Sequence, residues 1–562
     1  MSASAGQVHD YLTDRGFRIR APSSGCVATY RGTLDFRGAD VRVQLNIIDW
    51  QFKKRPEILL LERPPALQGF RPHLGHGKDL CYVDREAVLM DSYQPVQVIG
   101  ACLQKAQETL EDIAGSQSRI DVQSEFLIHW QGTETVPLIL WNKDPAKRTL
   151  GSVQAGWREG AKTFTITDET ARTSQLLAKL GISMGETAGD CVYELTTTRL
   201  PGFDPDAWPP ETLKAVLAWL RSWDPLLEKS LLGKLESKWT VKRSILIVLL
   251  SGPSGQFGFH LEAKYLNANQ RNRLAKDHGE RRQFILRQNP KIIRFGIADL
   301  SPSFIHGRNQ ANNETLKGKH FAIVGCGTIG GYLATFLARL GAGFGGGTLK
   351  LYDTQELAAE NLGRHVLSMR SLFRNKAIAL RDHILSEFPH LNVVAFSKDA
   401  TLARDLFDAD LVIDATGSSA ISSVLNAENV ARLKVGKHSA VLHVWVEGRG
   451  DAARTLLVDS SNHLCFECQY LRPVGQPVID RFPLARNDRH SGRTYSDGCG
   501  SYMSFAVSAA TTAAGLALDV TRDWVGNSPG ARLRSQRLNK AETQSRKDSS
   551  PEPLESCPAC RR

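Results

Sequence analysis

The glycine-rich run Gly325-Cys-Gly-Thr-Ile-Gly330 has the spacing of a nucleotide-binding turn. Without Cβ atoms, Gly325 and Gly327 allow a tight turn and the close approach of a ligand, and Gly330 permits tight helix packing. The N-terminus of the helix that follows would offer unpaired N–H groups to a phosphate. Asp353, about twenty residues further along, stands where a carboxylate accepts hydrogen bonds from ribose hydroxyls. The spacing predicts a nucleotide site, and an NAD dehydrogenase fits these residues as well as an ATP-using enzyme does.

Cationic residues downstream of this turn separate the two alternatives. Glu360-Asn-Leu-Gly-Arg-His365 and Arg374-Asn-Lys376 both follow Asp353 closely. A dehydrogenase needs no cluster of cations here. An enzyme that attacks the α-phosphate of ATP does, because negative charge accumulates on the transferred phosphate and on the leaving pyrophosphate. Arg364 or Lys376 alone would fit a solvated helix charge better, but their joint occurrence favours ATP chemistry.

These residues, together with Asp414-Ala-Thr, resemble the ThiF/MoeB/ubiquitin-activating superfamily from about residue 300 to the C-terminus. That family adenylates the C-terminal carboxylate of a small protein with ATP and magnesium. The resemblance implies that Asp353 holds the ribose and that Asn361, Arg364 and Lys376 lie at the phosphates.

The same resemblance implies roles for two further residues. Arg308, in His306-Gly-Arg-Asn, resembles the upstream arginine that reaches an active site in this family, sometimes across a dimer. The usual magnesium aspartate of the family follows the Thr of Asp-Ala-Thr, where this chain has Gly417. Asp414, at a predicted strand end, is the nearest carboxylate that could replace it.

Two C-x-x-C pairs, Cys465-Phe-Glu-Cys468 and Cys557-Pro-Ala-Cys560, supply four thiolate donors. Four thiolates suit tetrahedral zinc, and a C-x-x-C turn places two sulfurs on one ion. Two unrelated reduced pairs and redox disulfides are the alternatives. The long gap between the pairs resembles the structural zinc site of the superfamily. This implies a zinc ion that clips the C-terminal tail onto the adenylation domain and takes no part in catalysis.

Cys499 is a candidate nucleophile because of its neighbours. It stands in Ser496-Asp-Gly-Cys-Gly-Ser501, just ahead of an alanine-rich helical pattern. A cysteine near a helix N-terminus has a stabilised thiolate and a lowered pKa, as a nucleophile requires. A core thiol would normally have apolar neighbours. In activating enzymes that form a thioester, such a cysteine captures the acyl group from the adenylate.

Cys81 is the second candidate nucleophile. The order Pro64-Pro65, Arg71-Pro-His-Leu-Gly-His-Gly-Lys-Asp-Leu-Cys81 and Ser92-Tyr-Gln-Pro95 resembles the ubiquitin-conjugating fold. In that fold an H-P-N box, a glycine and the catalytic cysteine precede a W-x-P helix start. Here His73 lacks the Pro-Asn that should follow, and the Trp position holds Tyr93. The asparagine that supports the oxyanion during amine attack therefore has no counterpart.

Taken alone, Cys81 after Leu80 fits an ordinary buried thiol equally well, because free cysteine is among the most buried residue types. Its occurrence on one chain with an activating domain favours the functional interpretation. His73 and His76 are interpreted as residues that order the loop and not as bases.

The elements that must position these residues fall into three regions. The alternation in Val41-Arg-Val-Gln-Leu-Asn-Ile and the run Ile58–Leu61 predict strands, and a helical spacing of apolar residues begins at Pro95, so residues 1–118 are predicted to form an α+β domain. The resemblance around Cys81 implies that this domain is ubiquitin-conjugating-like. Residues 119–300 carry seven of the ten tryptophans and are predicted to form a packed middle domain of unassigned role.

Residues 301–562 are predicted to form the adenylation domain. Strands at Phe321–Val324, Thr348–Tyr352, Val393–Phe396 and Leu411–Asp414 alternate with helices, which indicates a doubly wound, Rossmann-like parallel sheet. In such a sheet the ligand site lies at the carboxyl ends of the strands. The stretch Gly526–Glu555, rich in Ser, Pro, Gly and charge, is predicted to be a flexible crossing to the last cysteines.

The amino-acid composition restricts the classes of protein to which the chain can belong. The chain has 562 residues, of which 42% are hydrophobic and 23% charged, which excludes a disordered or fibrous protein. A net charge of +11 is small for this length, and no basic arm with interleaved aromatic residues indicates nucleic-acid binding. No transmembrane helix or secretion signal is evident. Ten cysteines, four of them in C-x-x-C pairs, favour a reducing cytoplasm.

The whole order of domains resembles the bacterial conjugating–activating fusions of antiphage operons of the CBASS type, whose partner is a cGAS/DncV-like nucleotidyltransferase. The resemblance implies a homodimeric enzyme with ATP, Mg²⁺ and structural Zn²⁺ that adenylates the partner's C-terminal carboxylate. It implies further that Cys499 takes the acyl group, that Cys81 receives it, and that a target lysine accepts it. The alternatives are the same relay on a ubiquitin-like modifier, a sulfur-carrier adenylyltransferase without a relay, and an NAD-dependent oxidoreductase.

Overall fold

The computed structural model contains three successive units of secondary structure, each with its own hydrophobic core. The residues that it describes are 3–75, 79–82, 90–115, 126–130, 132, 134–142, 144, 147–158, 161–188, 192–202, 204, 207–236, 245–262, 274, 276–310, 316–476, 478–486, 494–497, 500–503, 505–528 and 530–560.

The first unit is an antiparallel sheet with two helices. Its strands are β1 (Arg18–Arg20), β2 (Ala28–Phe36), β3 (Ala39–Ile47) and β4 (Glu57–Leu60), in spatial order β1-β2-β3-β4. Its helices are α1 (Ala3–Asp14) and α2 (Pro95–Ala114). The strands expected from the alternation are confirmed, and Val43 and Leu45 of β3 are fully buried. Helix α2 begins at the predicted proline, whose missing N–H is not needed at that position.

The second unit is a mixed eight-stranded sheet with helices. The strands are β5 (Glu134–Ile139), β6 (Gly151–Arg158), β7 (Ala161–Thr167), β8 (Met184–Ala188), β9 (Val192–Thr196), β10 (Ile245–Gly252), β11 (Gly255–Glu262) and β12 (Ile292–Asp299), in spatial order β8-β6-β7-β5-β12-β11-β10-β9. The helices are α3 (Phe126–Trp130), α4 (Thr170–Lys179), α5 (Leu213–Trp223), α6 (Pro225–Leu235) and α7 (His278–Gln288).

Aromatic side chains form the core of this second unit, as the tryptophan content predicts. The rings of Trp130 and Trp219 stack with centroids 5.0 Å apart, and Phe257 lies 5.0 Å from Trp130. Trp130 also donates its indole N–H to the Gly258 carbonyl at 2.9 Å, so its buried polar atom is satisfied. The unit is therefore a packed body.

The third unit is a seven-stranded sheet flanked by helices. The strands are β13 (His320–Val324), β14 (Thr348–Tyr352), β15 (Val393–Phe396), β16 (Leu411–Asp414), β17 (Val441–Glu447), β18 (Ala452–Val458) and β23 (Leu533–Arg537), in spatial order β15-β14-β13-β16-β17-β18-β23. The helices are α8 (Pro302–Gly307), α9 (Thr328–Arg339), α10 (Lys376–Glu387), α11 (Ser419–Lys434) and α12 (Val507–Val525). Two short hairpins complete it, β19 (Tyr470–Leu471) with β20 (Ile479–Asp480) and β21 (Thr494–Asp497) with β22 (Gly500–Met503).

The predicted doubly wound fold is confirmed in this third unit. Strands β15, β14, β13, β16 and β17 pair in parallel, and β18 and β23 add antiparallel strands at one edge. Chain order reverses between β13 and β16, because β14 lies on one side of β13 and β16 on the other. In sheets of this kind that reversal opens a crevice at the carboxyl ends of the strands.

Helix α12 packs against its neighbours through alanine side chains. Ala510, Ala513, Ala514 and Ala517 are all fully buried, and their i, i+3, i+4 spacing places them on one face. Such small side chains let the helix lie close to its neighbours. Among the helices in the described part of the chain, none has the length and apolar character needed to cross a bilayer.

The prediction of a flexible crossing over Gly526–Glu555 is wrong. Strand β23 pairs with β18, and Leu533 N–H and Ser549 N–H exchange hydrogen bonds with each other's carbonyls at 2.9 and 3.0 Å. The Nη2 of Arg532 lies 2.9 Å from Asp459 Oδ2. The polar composition of the segment therefore reflects charges that pair across the sheet edge, which composition alone does not distinguish from a solvated linker.

Candidate active sites

The glycine turn is fixed by backbone contacts. Gly325 follows β13 with a φ of +88°, and a Cβ there would lie 3.0 Å from the backbone of Thr416. A Cβ on Gly330 would lie 1.9 Å from the Gly325 carbonyl oxygen, so only glycine fits. Gly327 precedes α9, and a Cβ there would meet nothing within 4 Å. The first and last glycines therefore serve packing, and the middle one leaves room above the helix N-terminus.

A pocket of about 400 Å³ lies at the carboxyl ends of β13, β14, β15 and β16. Gly325 and Gly327 line it, as the fingerprint predicts. Its polar lining comes from the loops after these strands and comprises Asp353, Thr354, Gln355, Lys398, Asp399, Thr416 and Ser418. Sequence reasoning found only Asp353 among them, although residues directly after parallel strands are the ones such a crevice exposes.

Asp353 is held at the pocket by main-chain donors. Its Oδ2 accepts from the Cys326 N–H at 2.8 Å and its Oδ1 from the Gln355 N–H at 2.7 Å. Each carboxylate oxygen can accept a further hydrogen bond. The carboxylate is therefore fixed at the pocket, and its role as a ribose ligand stays a prediction.

Lys376 lies beside this carboxylate at the start of α10. It is 6% exposed, and its Nζ donates to Gln355 Oε1 at 2.8 Å. Burial lowers the pKa of Lys376, while the nearby Asp353 charge opposes that shift. Asn375 caps the same helix and donates from Nδ2 to the Asp353 carbonyl at 2.8 Å. The helix start therefore holds the lysine against the pocket wall.

A buried histidine, which the sequence analysis did not single out, locks the glycine turn. His365 Nε2 lies 2.9 Å from the Cys326 carbonyl, and its Nδ1 accepts from the Leu367 N–H at 3.0 Å. This network assigns the proton to Nε2. Burial lowers the pKa of His365, which keeps the ring neutral and suited to this pair of bonds. Cys326 itself is fully buried, consistent with its interpretation as part of the turn.

Asn361 and Arg364 lie on the loop between β14 and α10. The Asn361 Oδ1 accepts from the Ala358 N–H at 3.1 Å and so shapes this loop. The Arg364 guanidinium lies over the ring of Phe505, with its Cζ 4.9 Å from the centroid. Arg364 and Lys376 are close enough for the arginine charge to lower the pKa of the lysine. The predicted cations therefore lie near each other, and their role at the phosphates stays a prediction.

Arg308 does not line this pocket. It is exposed at the C-terminal end of α8, and its guanidinium lies over the ring of Phe304 with Cζ 5.5 Å from the centroid. Its predicted reach to an active site stays a prediction.

Asp414 lies in a buried hydrogen-bond network and is not among the residues that line the pocket, and its replacement of the magnesium aspartate stays a prediction. Asp414 is 2% exposed, and its carboxylate accepts from Thr416 Oγ1 at 2.7 Å, Ser422 Oγ at 2.5 Å and His443 Nδ1 at 2.9 Å. Burial raises its pKa, but the hydrogen bond and charge of His443, together with the bonds from Ser422 and Thr416, outweigh burial and hold the pKa of Asp414 below its usual range. Gly417, at the position of the family's aspartate, has a φ of +66°, a region that favours glycine.

The four predicted zinc ligands come together. The Sγ atoms of Cys465 and Cys468 are 3.7 Å apart, those of Cys465 and Cys557 3.6 Å, and those of Cys468 and Cys560 3.4 Å. All four sulfurs lie within 4.8 Å of one another. Four sulfurs at the usual Zn–S distance of about 2.3 Å would be about 3.8 Å apart in a tetrahedron. The cluster therefore fits zinc, which would supply a tetrahedral crosslink.

The surroundings of the cluster also suit a metal site. Asn426 donates from Nδ2 to Cys465 Sγ at 3.6 Å, and the Leu554 N–H donates to Cys468 Sγ at 3.4 Å. Such donors stabilise thiolate ligands. The hydrogen bond with Cys468, together with burial, holds the pKa of Cys465 well above its usual range, so that a cation is needed to hold all four sulfurs as thiolates.

We expect Cys468→Ser to release zinc and to lower the unfolding temperature. Structural zinc contributes on the order of 10 kcal/mol in small metal-dependent domains, so loss of one thiolate should cost several degrees here. Metal analysis and thermal unfolding of the full chain measure both effects. Cys26→Ser, a partly exposed thiol outside the cluster, is the control and should keep its zinc. If the wild-type protein, purified without chelators, contains no zinc, the assignment is contradicted.

Cys499 and His76 lie outside the described residues. Strand β22 separates position 499 from the start of α12 at Val507. The roles predicted for Cys499 and His76 stay predictions.

Cys81 is an exposed thiol in the first unit. Its N–H donates to the His73 carbonyl at 2.7 Å. The N–H of the neighbouring Leu80 donates to the Ile58 carbonyl on strand β4 at 2.8 Å. Arg55 Nη2 lies 3.6 Å from Cys81 Sγ. The interpretation of Cys81 as an ordinary buried thiol is therefore wrong.

The electrostatic surroundings of Cys81 favour its thiolate. The hydrogen bond from the His73 side chain, and after it the one from Arg55, hold the pKa of Cys81 below its usual range, although partial burial opposes them. The two other cysteines described in this unit behave oppositely, since burial raises the pKa of both Cys26 and Cys102. A low pKa and an open approach are what distinguish reactive cysteines from structural ones.

The sheet, the glycine turn and the polar pocket define the third unit as a nucleotide-binding domain of the ThiF class. The ThiF family matches residues 303–553. The molybdopterin-synthase adenylyltransferase of Escherichia coli is 33% identical over 149 residues, which cover 26% of this chain and 54% of that protein.

Two relatives extend the similarity beyond this unit. The ATP-dependent ubiquitin transferase-like protein Cap2 of Pseudomonas aeruginosa is 30% identical over 564 residues, covering 100% of this chain and 99% of that protein. The Cap2 protein of Escherichia coli is 24% identical over 526 residues, covering 86% of this chain and 87% of that protein. The chain belongs to this Cap2 family of ATP-dependent ubiquitin transferase-like proteins. It is an enzyme of the ligase and transferase class.

Proposed function

We propose that this enzyme adenylates the C-terminal carboxylate of a partner protein and passes the acyl group over Cys499 and Cys81 to a target lysine. The observation that carries the proposal is the exposed, cation-flanked thiol of Cys81 on the same chain as a nucleotide pocket. A sulfur-carrier adenylyltransferase would have no use for such a thiol in a separate unit.

The first step uses the pocket of the third unit. A carboxylate oxygen of the partner attacks the α-phosphorus of ATP, an acyl–AMP anhydride forms, and pyrophosphate leaves. Asp353 is oriented to accept from the ribose, and Lys376 supplies a positive charge beside it. Charge stabilisation of the leaving pyrophosphate by fixed cations is the main contribution expected of the protein.

The next steps exchange one activated carbonyl for another. The Cys499 thiolate attacks the acyl–AMP carbonyl, a thioester forms, and AMP leaves. The Cys81 thiolate then attacks that thioester, and Cys499 leaves as a thiolate. A lysine amine finally attacks the Cys81 thioester, an amide forms, Cys81 leaves as a thiolate, and the amine loses a proton to solvent. Each step depends mainly on positioning and on thiolate availability.

The partner that we favour is a cGAS/DncV-like nucleotidyltransferase of a CBASS antiphage operon, because the domain order resembles the fusions found there. A dedicated ubiquitin-like modifier is the alternative occupant of the same site. We expect the enzyme to act as a homodimer in the cytoplasm, with Arg308 reaching the active site of the neighbouring subunit.

The test combines the full chain, ATP and magnesium with each candidate partner protein. We expect ATP–pyrophosphate exchange that depends on the partner's intact C-terminus, and adducts on Cys81 and Cys499 that dithiothreitol removes. Peptide mapping by mass spectrometry locates them. Exchange without an adduct on either cysteine would favour a sulfur-carrier adenylyltransferase, and absence of exchange with every partner offered would refute the proposal.

A further inference from the structure

We propose that Arg55 is a catalytic residue of the Cys81 site, which stabilises the thiolate and donates to the oxyanion formed when an acyl group enters or leaves the sulfur. The oxyanion role rests on the proposed function. The thiolate role is a property of the folded chain and can be measured without any partner.

The contact between the two side chains is direct. Arg55 Nη2 lies 3.6 Å from Cys81 Sγ, within reach of an N–H···S hydrogen bond. A guanidinium carries five N–H donors in a planar fork, so one donor can face the sulfur while another faces an atom bound to it. Cys81 is exposed, which leaves room for an acyl chain. Arg55 therefore stands where charge develops during transfer.

The segment that carries Arg55 is held by its own turn. The Asp49 carboxylate accepts hydrogen bonds from three main-chain donors, the N–H groups of Gln51, Lys53 and Lys54, at 3.0, 3.1 and 3.2 Å. Within this turn Phe52 is 3% exposed and packs into the core. The turn therefore fixes the backbone just before Arg55, and a fixed backbone lowers the entropic cost of presenting the guanidinium.

A tyrosine joins this segment to the cysteine. The Tyr82 hydroxyl, adjacent to Cys81 in sequence, donates to the Pro56 carbonyl at 2.6 Å. The Arg55 guanidinium lies toward the Tyr82 ring, with Cζ 5.7 Å from the centroid. Tyr82 is 4% exposed, so this bond is shielded from water. The Tyr82–Pro56 bond therefore joins the residue after Arg55 to the residue after Cys81, which preorganises the contact between Arg55 and Cys81.

His73 has a different part in the site. Its carbonyl accepts the Cys81 N–H at 2.7 Å, and its φ of +59° is a conformation that few non-glycine residues adopt. That turn places the imidazole beside the sulfur. Arg55 is permanently charged, whereas a neutral imidazole adds no charge, so Arg55 is the residue able to stabilise an anion across the pH range.

Arg55 can also fill a role that the sequence leaves vacant. The ubiquitin-conjugating fold uses the asparagine of its H-P-N box at the oxyanion, and here Leu74 and Gly75 follow His73 instead. During transfer, attack on the thioester carbon converts the carbonyl oxygen into an oxyanion, and collapse expels either thiolate. An arginine beside Sγ can donate to that oxyanion and to Cys81 when it leaves. Removal of one such donor costs on the order of 100-fold in other enzymes.

The first test measures Cys81 alone. Iodoacetamide alkylation of Cys81 in the full chain is followed from pH 5 to 10 by mass spectrometry of its peptide. We expect Arg55→Met to move the half-maximal pH upward by about one unit, because a cation near the sulfur is lost. Lys54→Met, which removes a charge from the adjacent exposed side chain, is the matched control and should leave the profile unchanged. An unchanged profile in Arg55→Met would overturn the thiolate role.

The second test measures transfer. In single-turnover reactions, Arg55→Met should slow movement of the acyl group from Cys499 to Cys81 by about 10- to 100-fold while capture on Cys499 keeps its rate. Arg55→Lys should retain most of the alkylation profile, since it keeps the charge, yet slow transfer by about 10-fold, since it loses the fork. Transfer within twofold of wild type in both variants would overturn the oxyanion role.

The two failures are distinguishable. If wild-type protein forms no adduct on Cys81, the proposed relay fails, but the alkylation profile still decides whether Arg55 controls the thiolate. If the relay proceeds and substitution of Arg55 changes neither the alkylation profile nor the rate of acyl transfer, the proposed role of Arg55 fails and the relay stands. Thermal unfolding of Arg55→Lys serves as the folding check, because that variant retains the side-chain length and charge.

Discussion

Replacing Cys81 with alanine is expected to abolish conjugation to target lysines while leaving partner-dependent pyrophosphate exchange within about twofold of wild type. Cys81 accepts the acyl group in the proposed relay, and its sulfur is exposed. It belongs to the first unit, whereas the residues of the nucleotide pocket belong to the third. The acyl group should then accumulate on Cys499 as a thioester. Non-reducing electrophoresis with and without dithiothreitol, together with an exchange assay, measures both outcomes.

Cys26→Ala is the matched control for this experiment. Cys26 belongs to the same unit, but burial and Glu57 raise its pKa, whereas the pKa of Cys81 is lowered. The Cys26→Ala variant should therefore conjugate the partner to its targets at the wild-type rate. Conjugation that persists in Cys81→Ala would remove the first unit from the mechanism and leave the third unit as the whole enzyme.

Replacing Lys376 with methionine is expected to lower pyrophosphate exchange by about 100-fold or more. Fixed cations stabilise the charge that develops on the phosphates, and removal of one such group typically costs a factor of about 100 to 1,000. Methionine keeps much of the side-chain volume in this 6% exposed position, so the fold should survive. Exchange kinetics at saturating ATP, compared with KM for ATP, separate loss of catalysis from loss of binding.

Lys317→Met controls for the loss of a lysine from the same unit. Lys317 is exposed and lies over the ring of Phe344, away from the pocket lining. Its loss should leave exchange unchanged. Wild-type exchange in Lys376→Met would show that the buried lysine supports the structure of the loop through Gln355 and takes no part in phosphate chemistry.

Much of the third unit could be predicted from the sequence because its signals are local. Strands such as β13 and β16 are short apolar runs buried on both faces, and the glycine turn between β13 and α9 has a spacing that few other structures require. Cysteine type and spacing likewise indicated the metal cluster. These inferences needed no knowledge of which distant elements pair.

The contacts that the sequence did not indicate join distant elements. The bond between Asp414 and His443 depends on the register in which β16 pairs with β17. Arg55 escaped notice because only the packing of the turn before β4 against the cysteine loop brings it to Cys81. Charge and spacing in one stretch of sequence do not report such register-dependent neighbours.

The sulfur cluster has a topological consequence. Cys465 and Cys557 are 92 positions apart, as are Cys468 and Cys560, so one bound ion would close a long loop of chain that contains both Cys499 and the edge strand β23. Closing a loop of this length restricts the unfolded chain far more than the folded one. A protease that cut within the loop would leave two fragments still joined through the ion. Removing the ion with a chelator would remove this crosslink and leave only the non-covalent contacts of the fold, such as the pairing of β18 with β23, to hold the fragments.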